Sequence, residues 1–435
     1  MESHLIVIGI VVIGLVSVLL LSGMHVGFAL GAAALLYLFV LLPFHTKTVA
    51  TIFWQASNSF VLAAIPLFIF MGQILLSSGI ADQLFKGISI LLGKVPGNLA
   101  YSAIVACSVF AAISGSSVAT AATIGTVAVP EMIKRGYDSK LTLGCIAGGG
   151  TLGILIPPSI AMIVYGEICQ VSVGKLFMAG FIPGIIIALM FMIYIAIRIL
   201  IQPRLVPHTT ERSDWKEVFS AIVQMAPSLL LISLILGGIY AGITTPSEAA
   251  AVGVVGALVI ALAKRKLTLQ VLRESLLNSL QTTCMIMLIV MGAMTLSFAV
   301  GNAGIPRAMV VWVSSLHVSR TVIIYSIFLL YILLGCFFEG LSLLLMTVPI
   351  TFPIVTGLGY DAVWFGITVV MILEIAMLTP PVGLNLYVLH GLSGGRNFSE
   401  VVVGTAPFAA IECFALIVFT AFPELVLFLP SRMIH

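Results

Sequence analysis

The side chains best suited to hold an ion or a small polar ligand lie beside two pairs of adjacent prolines. "GTLGILIPPS" (150–159) carries Gly150, Thr151, Pro157, Pro158 and Ser159, and "TPPVGLN" (379–385) carries Thr379, Pro380, Pro381, Gly383 and Asn385. Two more clusters interrupt apolar runs. "SGSS" (114–117) supplies Ser114, Gly115, Ser116 and Ser117, with Thr120 close behind, and "FFEG" (337–340) supplies Glu339 and Gly340. Proline removes a backbone donor and clashes with the preceding turn, so each Pro-Pro pair breaks a helix. A broken helix frees N–H groups at one new end and C=O groups at the other. The first suit an anion and the second a cation. Hydroxyls and carbonyls without a cluster of acids fit a monovalent cation better than zinc or calcium. Any one Ser or Thr here also reads as an interhelical hydrogen bond. Four such loops converging favour a site.

The surrounding chain must carry these breaks through a membrane. Of 435 residues, 61% are hydrophobic and 8% charged, with a mean hydropathy of +1.24, against roughly a quarter charged in soluble domains. The chain is therefore an all-α polytopic membrane protein embedded in a lipid bilayer. Its longest polar run, 202–217, is too short for a core of its own. Spans are expected near 5–22, 26–42, 57–78, 174–200, 225–241, 246–263, 276–300 and 405–429. The first, lacking a cleavage site, reads as a retained span and not a signal peptide. Placing 202–217 in the cytoplasm puts 14 of the 19 Lys and Arg inside, a usable positive-inside bias that sets both termini on the outer side. The basic excess belongs to topology, so no nucleic acid is expected. The six cysteines lack metal-ligand spacing and read as small core residues.

Between the spans lie two paired arms, 97–133 and 320–357, and two broken stretches, 141–168 and 362–393. At a constant offset of 223, Pro130, Gly136, Tyr137, Asp138, Pro157 and Pro158 fall on Pro353, Gly359, Tyr360, Asp361, Pro380 and Pro381. We read two repeats, 1–210 and 211–435, each with scaffold helices, one paired arm and one broken helix. An odd number of crossings inverts one against the other, as in secondary transporters. Each arm of about 17 residues reaches roughly 26 Å, short of a ~30 Å hydrocarbon core. The arms are thus re-entrant hairpins in preference to ordinary spans joined by a tight turn. Intramembrane acids are functional by default. Glu339 and Glu374 read either as protonatable coupling groups or as carboxylates locked by hydrogen bonds to tip amides, the lock being preferred. Glu131, Glu248 and Glu412 read as span-end or packing residues, and His390 as packing.

"ISGSSVATAATIGTVAVPEMIKRGYD" (113–138), "GTLGILIPPSIAMIVYG" (150–166), "FFEGLSLLLMTVPITFPI" (337–354) and "LTPPVGLNLYVLHG" (378–391) resemble the signature blocks of the large membrane subunit of tripartite ATP-independent periplasmic (TRAP) transporters. The resemblance covers essentially the whole chain. It implies an elevator-type transporter of the bacterial inner membrane, in which hairpins and broken helices move against a scaffold. It also implies sodium-coupled uptake of a small organic anion, a carboxylate or sulfonate. The implied partners are a small four-helix membrane subunit, here a separate polypeptide, and a periplasmic substrate-binding protein. Carried onto this chain, sodium is expected at Ser114, Gly115, Ser116, Thr151, Pro157, Glu339, Gly340, Thr379 and Pro380. Substrate is expected at Ser117, Thr120, Gly150, Ser159, Pro381, Gly383 and Asn385. No cofactor beyond the coupling sodium ions and no transition metal are implied. "SVATAA" (117–122) departs from many relatives in placing Thr120 where an acidic residue is expected. A stand-alone transporter of the same inverted architecture is the alternative. An intramembrane enzyme would need paired acids, His-x-x-x-His or a Ser/Lys dyad within the spans, and the sequence pattern offers none.

Overall fold

The computed structural model describes residues 11, 14–20, 22–41, 46–93, 95–207, 214–315 and 318–433. Much of the expected 5–22 span, and the middle of the 202–217 loop, lie outside the described residues. The described residues are helical, with no strand among them. Seven described segments are long and apolar enough to cross a membrane: 139–169, 173–201, 215–240, 246–263, 269–302, 340–357 and 398–421. An eighth is the pair Ala64–Ser77 and Ile80–Leu91, bent by 66°. The all-α polytopic expectation holds.

One series of helices occurs twice. The first hairpin has arms Asn98–Ser114 and Ser117–Lys134, followed by a broken helix, Ser139–Leu155 and Ile160–Cys169, and then a long helix, Val173–Ile201. The second hairpin has arms Arg320–Gly335 and Gly340–Gly357, followed by Ala362–Met377, Leu384–Leu392 and Phe398–Ala421. Upstream, the bend between Ala64–Ser77 and Ile80–Leu91 is matched by the turn between Leu269–Asn302 and Ile305–Ser315, with Gly79 and Gly304 both at φ +72°. Among the described residues, the two series differ in continuity at one helix. Thr46–Ser57 and Ala64–Ser77 are separate helices, whereas their counterpart is the single 34-residue helix Leu269–Asn302.

The recurrent "GYD" is a helix-to-helix turn. Gly136 (φ +86°) and Gly359 (φ +83°) take the left-handed conformation that ends each hairpin, which a side chain would strain. Two residues on, Asp138 accepts the Leu141 N–H at 2.9 Å, and Asp361 accepts the Val363 and Trp364 N–H groups at 2.8 and 2.9 Å. Each aspartate thus caps the broken helix that follows.

Three short helices were not expected from hydropathy: Thr46–Ser57, Ile80–Leu91 and Ile305–Ser315. Each alternates apolar and polar residues at helical spacing, which dilutes a window average. The broken helices lie at the centre. Residues 141–155 and 363–377 are buried without exception. The outer helices Val173–Ile201 and Trp215–Tyr240 bury only 33% and 28% of their most apolar stretch within the chain, leaving apolar faces for lipid or a partner subunit.

Candidate functional site

A cavity of about 360 Å³ lies between the two hairpin tips. Ser114, Gly115, Ser116 and Ser117 line it from the first tip, and Glu339, Gly340 and Leu341 from the second. Ile154 and Ala161 flank the first break, and Thr282, Met285 and Ile289 come from Leu269–Asn302. No lysine, arginine or histidine lines it, and Glu339 is its one titratable side chain among the described residues.

The first tip is internally satisfied. The Thr120 hydroxyl donates to the Ser116 carbonyl at 2.8 Å, in the usual back-bond to the previous turn. Its one proton thus committed, it accepts from the Ser114 hydroxyl at 2.7 Å. The Ser116 side chain accepts the Ala119 N–H as the cap of the second arm. Gly115 (φ +60°) seats the tip against the first break: a Cβ there would lie 2.8 Å from the Pro158 carbonyl oxygen. The Ile160 N–H reaches back to the Gly115 carbonyl at 3.5 Å. The second tip docks the same way, the Val382 N–H donating to the Cys336 carbonyl at 3.1 Å. There the cap is Glu339, whose carboxylate accepts from the Leu341 N–H, the Ser342 N–H and the Ser342 hydroxyl at 3.0–3.1 Å. Glu339 is thereby locked to tip amides.

The structure does not bring all the expected residues to the tips. Ser114, Gly115, Ser116, Ser117, Glu339 and Gly340 line the cavity. Thr120 lies one hydrogen bond behind it. Gly383 faces Glu339 and Gly340 across a small crevice of about 10 Å³. Asn385, fully buried, donates its side-chain N–H to the Ser117 hydroxyl at 2.7 Å. The others stand elsewhere. Gly150 is a packing residue, since a Cβ there would meet the Ala121 Cβ at 2.7 Å. Ser159 caps Ile160–Cys169. Pro157 and Pro158 are buried behind the tip, whereas Pro380 and Pro381 are exposed, and none of the four lines the cavity. Thr379 bonds back to the Ile375 carbonyl at 2.7 Å. Thr151 points away from the tips: its hydroxyl contacts the Gly148 carbonyl at 2.6 Å and the Glu412 carboxyl. Its side chain does not line the cavity between the tips.

The structure decides between the readings of two acids. Of span end and packing, Glu412 takes packing. It is 2% exposed in mid-helix, and it shares a small void with Thr151 and Glu374, itself 2% exposed. The spans therefore do hold paired acids, drawn from helices that sequence spacing does not join. Glu374 is not locked to tip amides: neither of its oxygens makes a full hydrogen bond, and its nearest polar neighbours are the Ile154 backbone and the Ser117 hydroxyl. Glu131 and Glu248 do act at helix ends, in an ion pair with Arg135 at 2.6 Å and a capping box with Thr245. His390 packs edge-on against Phe398 at 5.6 Å. Of the cysteines, Cys107 and Cys145 are buried and Cys284 is exposed. The sequence reading missed Gln73 and Thr282 on the cavity wall. Each had a signal: a lone amide in "FIFMGQILL", and the polar run "NSLQTT" (278–283) inside an apolar helix.

Comparison with known proteins agrees with this architecture. Residues 13–425 match the family described as "Tripartite ATP-independent periplasmic transporter, DctM component". The C4-dicarboxylate TRAP transporter large permease protein DctM of Rhodobacter capsulatus is 35% identical over 439 residues, covering 97% of this chain and 98% of that protein. The isethionate TRAP transporter permease protein DctMQ of Oleidesulfovibrio alaskensis is 32% identical, covering 96% of this chain and 66% of that longer one. Among solved structures, the Alcanivorax borkumensis YdaH transporter superposes with a TM-score of 0.62 at 13% identity, covering 90% of each chain, a likeness of fold. Transport across a membrane, and no enzymatic reaction, is what this family's permeases perform. The chain belongs to the DctM component family, the large membrane permeases of tripartite ATP-independent periplasmic transporters.

Proposed function

We propose that this chain is the sodium-coupled permease for a small carboxylate or sulfonate, working with a small four-helix membrane subunit and a periplasmic binding protein in the bacterial inner membrane. One observation carries the reading. The cavity between the hairpin tips is mostly apolar and presents no cationic side chain. An organic anion there needs positive charge from elsewhere, because an uncompensated buried charge costs several kcal/mol. Helix N-termini supply part of it: Ser117–Lys134 and Gly340–Gly357 both begin at the cavity, where the positive ends of their dipoles lie. Sodium held by the oxygens of Ser114, Gly115 and Ser116 at one tip, and of Glu339 and Gly340 at the other, supplies the rest.

In this reading the hairpins and broken helices travel as an elevator and the outer helices form the scaffold, with both termini periplasmic. No organic cofactor is needed. The relatives' substrates, a C4-dicarboxylate and isethionate, share an anionic head and little else, which favours selection by the binding protein. The test is uptake by the complete system in liposomes at fixed voltage and proton gradient. Replacing an inward sodium gradient by potassium should abolish accumulation, and undiminished accumulation would overturn the proposal. Uptake by this chain alone at the full system's rate would overturn the partner requirement.

A further inference from the structure

Behind the cavity wall, Glu374 of Ala362–Met377 and Glu412 of Phe398–Ala421 face a common void with Thr151. The void has no room for a water molecule. Both carboxyl groups are 2% exposed, and three of their four oxygens have no hydrogen-bond partner. The fourth, Glu412 Oε1, lies against the Thr151 hydroxyl. That hydroxyl has a single proton, for which the Gly148 carbonyl at 2.6 Å and Glu412 Oε1 compete as acceptors.

The groups facing the pair are few. The first broken helix presents Thr151 and the Ile154 backbone, the first hairpin Ser117, and Val173–Ile201 the apolar Ile187. Cys413, next to Glu412, is the remaining titratable neighbour. Among the described residues no lysine, arginine or histidine pairs with either glutamate. Two ionised carboxylates side by side, without a cation or water, are not a stable arrangement.

We propose that Glu374 and Glu412 form a proton-binding dyad, filled in this state and emptied later in the transport cycle, so that a proton moves with the substrate. The route is short. Ser117 lines the cavity on one side and faces Glu374 on the other. Its oxygen accepts from Asn385, which leaves its own proton free to point at Glu374. A proton from cavity water passes through this hydroxyl to Glu374 and is shared with Glu412. Each loading adds one proton to the dyad, and each release returns one.

The test has two arms, one of them independent of transport. The first is the pH-dependent infrared difference spectrum of the purified full-length chain with its membrane partner. It should show the carbonyl stretch of a buried carboxylic acid, lost in Glu374→Gln and Glu412→Gln and shifted in frequency in Thr151→Val, which keeps both acids if a Gln variant misfolds. A spectrum with no such band, or one untouched by all three substitutions, overturns the dyad. The second arm measures external alkalinisation during substrate uptake by the complete system, with the voltage clamped. Uptake limited by one bound proton should fall about tenfold per pH unit at the alkaline end, and either Gln variant should flatten that fall and abolish the proton movement. A wild type that moves no protons, or variants that move as many, overturns proton transport.

Discussion

The Asn385 side chain donates to the Ser117 hydroxyl at 2.7 Å across 268 residues of sequence. This bond ties the tip of the first hairpin to the helix that restarts after the second break. The two halves therefore share one polar contact at the cavity wall, and neither half completes the site alone.

The bond should matter more for transport than for stability. Ser117→Ala strands the buried Asn385 amide and should cost about 1–3 kcal/mol. Adding Asn385→Leu removes the stranded group and should restore most of the thermal stability, because replacing both partners by apolar groups is nearly neutral. Uptake should stay at background in both variants. Recovery of uptake in the double variant would show the bond to be packing.

Glu339 should act as a cap. Glu339→Ala removes the acceptor for two amides and one hydroxyl and should cost ~1 kcal/mol. Glu339→Gln keeps one acceptor oxygen and should retain much of the uptake, with the pH profile unchanged. A Gln variant as inactive as the Ala variant, at equal melting temperature, would make Glu339 a coupling group.

Gly150 should behave as a packing residue. The Ala121 Cβ already lies where a side chain would go, so Gly150→Val should lower stability by about 1–3 kcal/mol through overpacking. The half-saturating substrate concentration of the protein that still folds should be unchanged. A large rise in that concentration at intact stability would return Gly150 to the binding site.

The tips and breaks were legible because their punctuation is local. Pro157-Pro158, "SGSS", "FFEG" and "GYD" each dictate backbone conformation within a few residues. The site behind them was not, because it depends on which helices pack together. Thr151 looked like a ligand beside a break, but its rotation about the helix turns it toward Glu412. Glu412 read only as a span-end or packing residue because its partner is 38 residues away, on a helix whose packing no pattern announces. Gly150 looked suited to backbone approach by a ligand, and the approaching group is Ala121. Thr46–Ser57 and Ile80–Leu91 escaped notice because amphipathic helices are invisible to a hydropathy average.

The two proline pairs, alike in sequence, should not behave alike. Pro157 and Pro158 are buried, with the Pro158 carbonyl against Gly115 at the first tip. Helix interiors prefer Ala to Pro by ~3 kcal/mol, so Pro157→Ala with Pro158→Ala favours continuation of Ser139–Leu155 through the break. The continued helix would enter the space where the tip docks and carry Ser114, Gly115 and Ser116 away from the cavity. Stability in potassium need not fall, but the added stability in sodium should vanish together with uptake. Pro380 and Pro381 are exposed, and the tip beside them is held by the Val382-to-Cys336 bond and by the Glu339 cap. Their double Ala variant should keep part of its sodium stabilisation. Thermal unfolding of both variants in sodium and in potassium, with uptake on the same preparations, separates these outcomes. Full sodium stabilisation after loss of Pro157 and Pro158 would mean that the first break is only a packing feature and that the tip does not hold the ion.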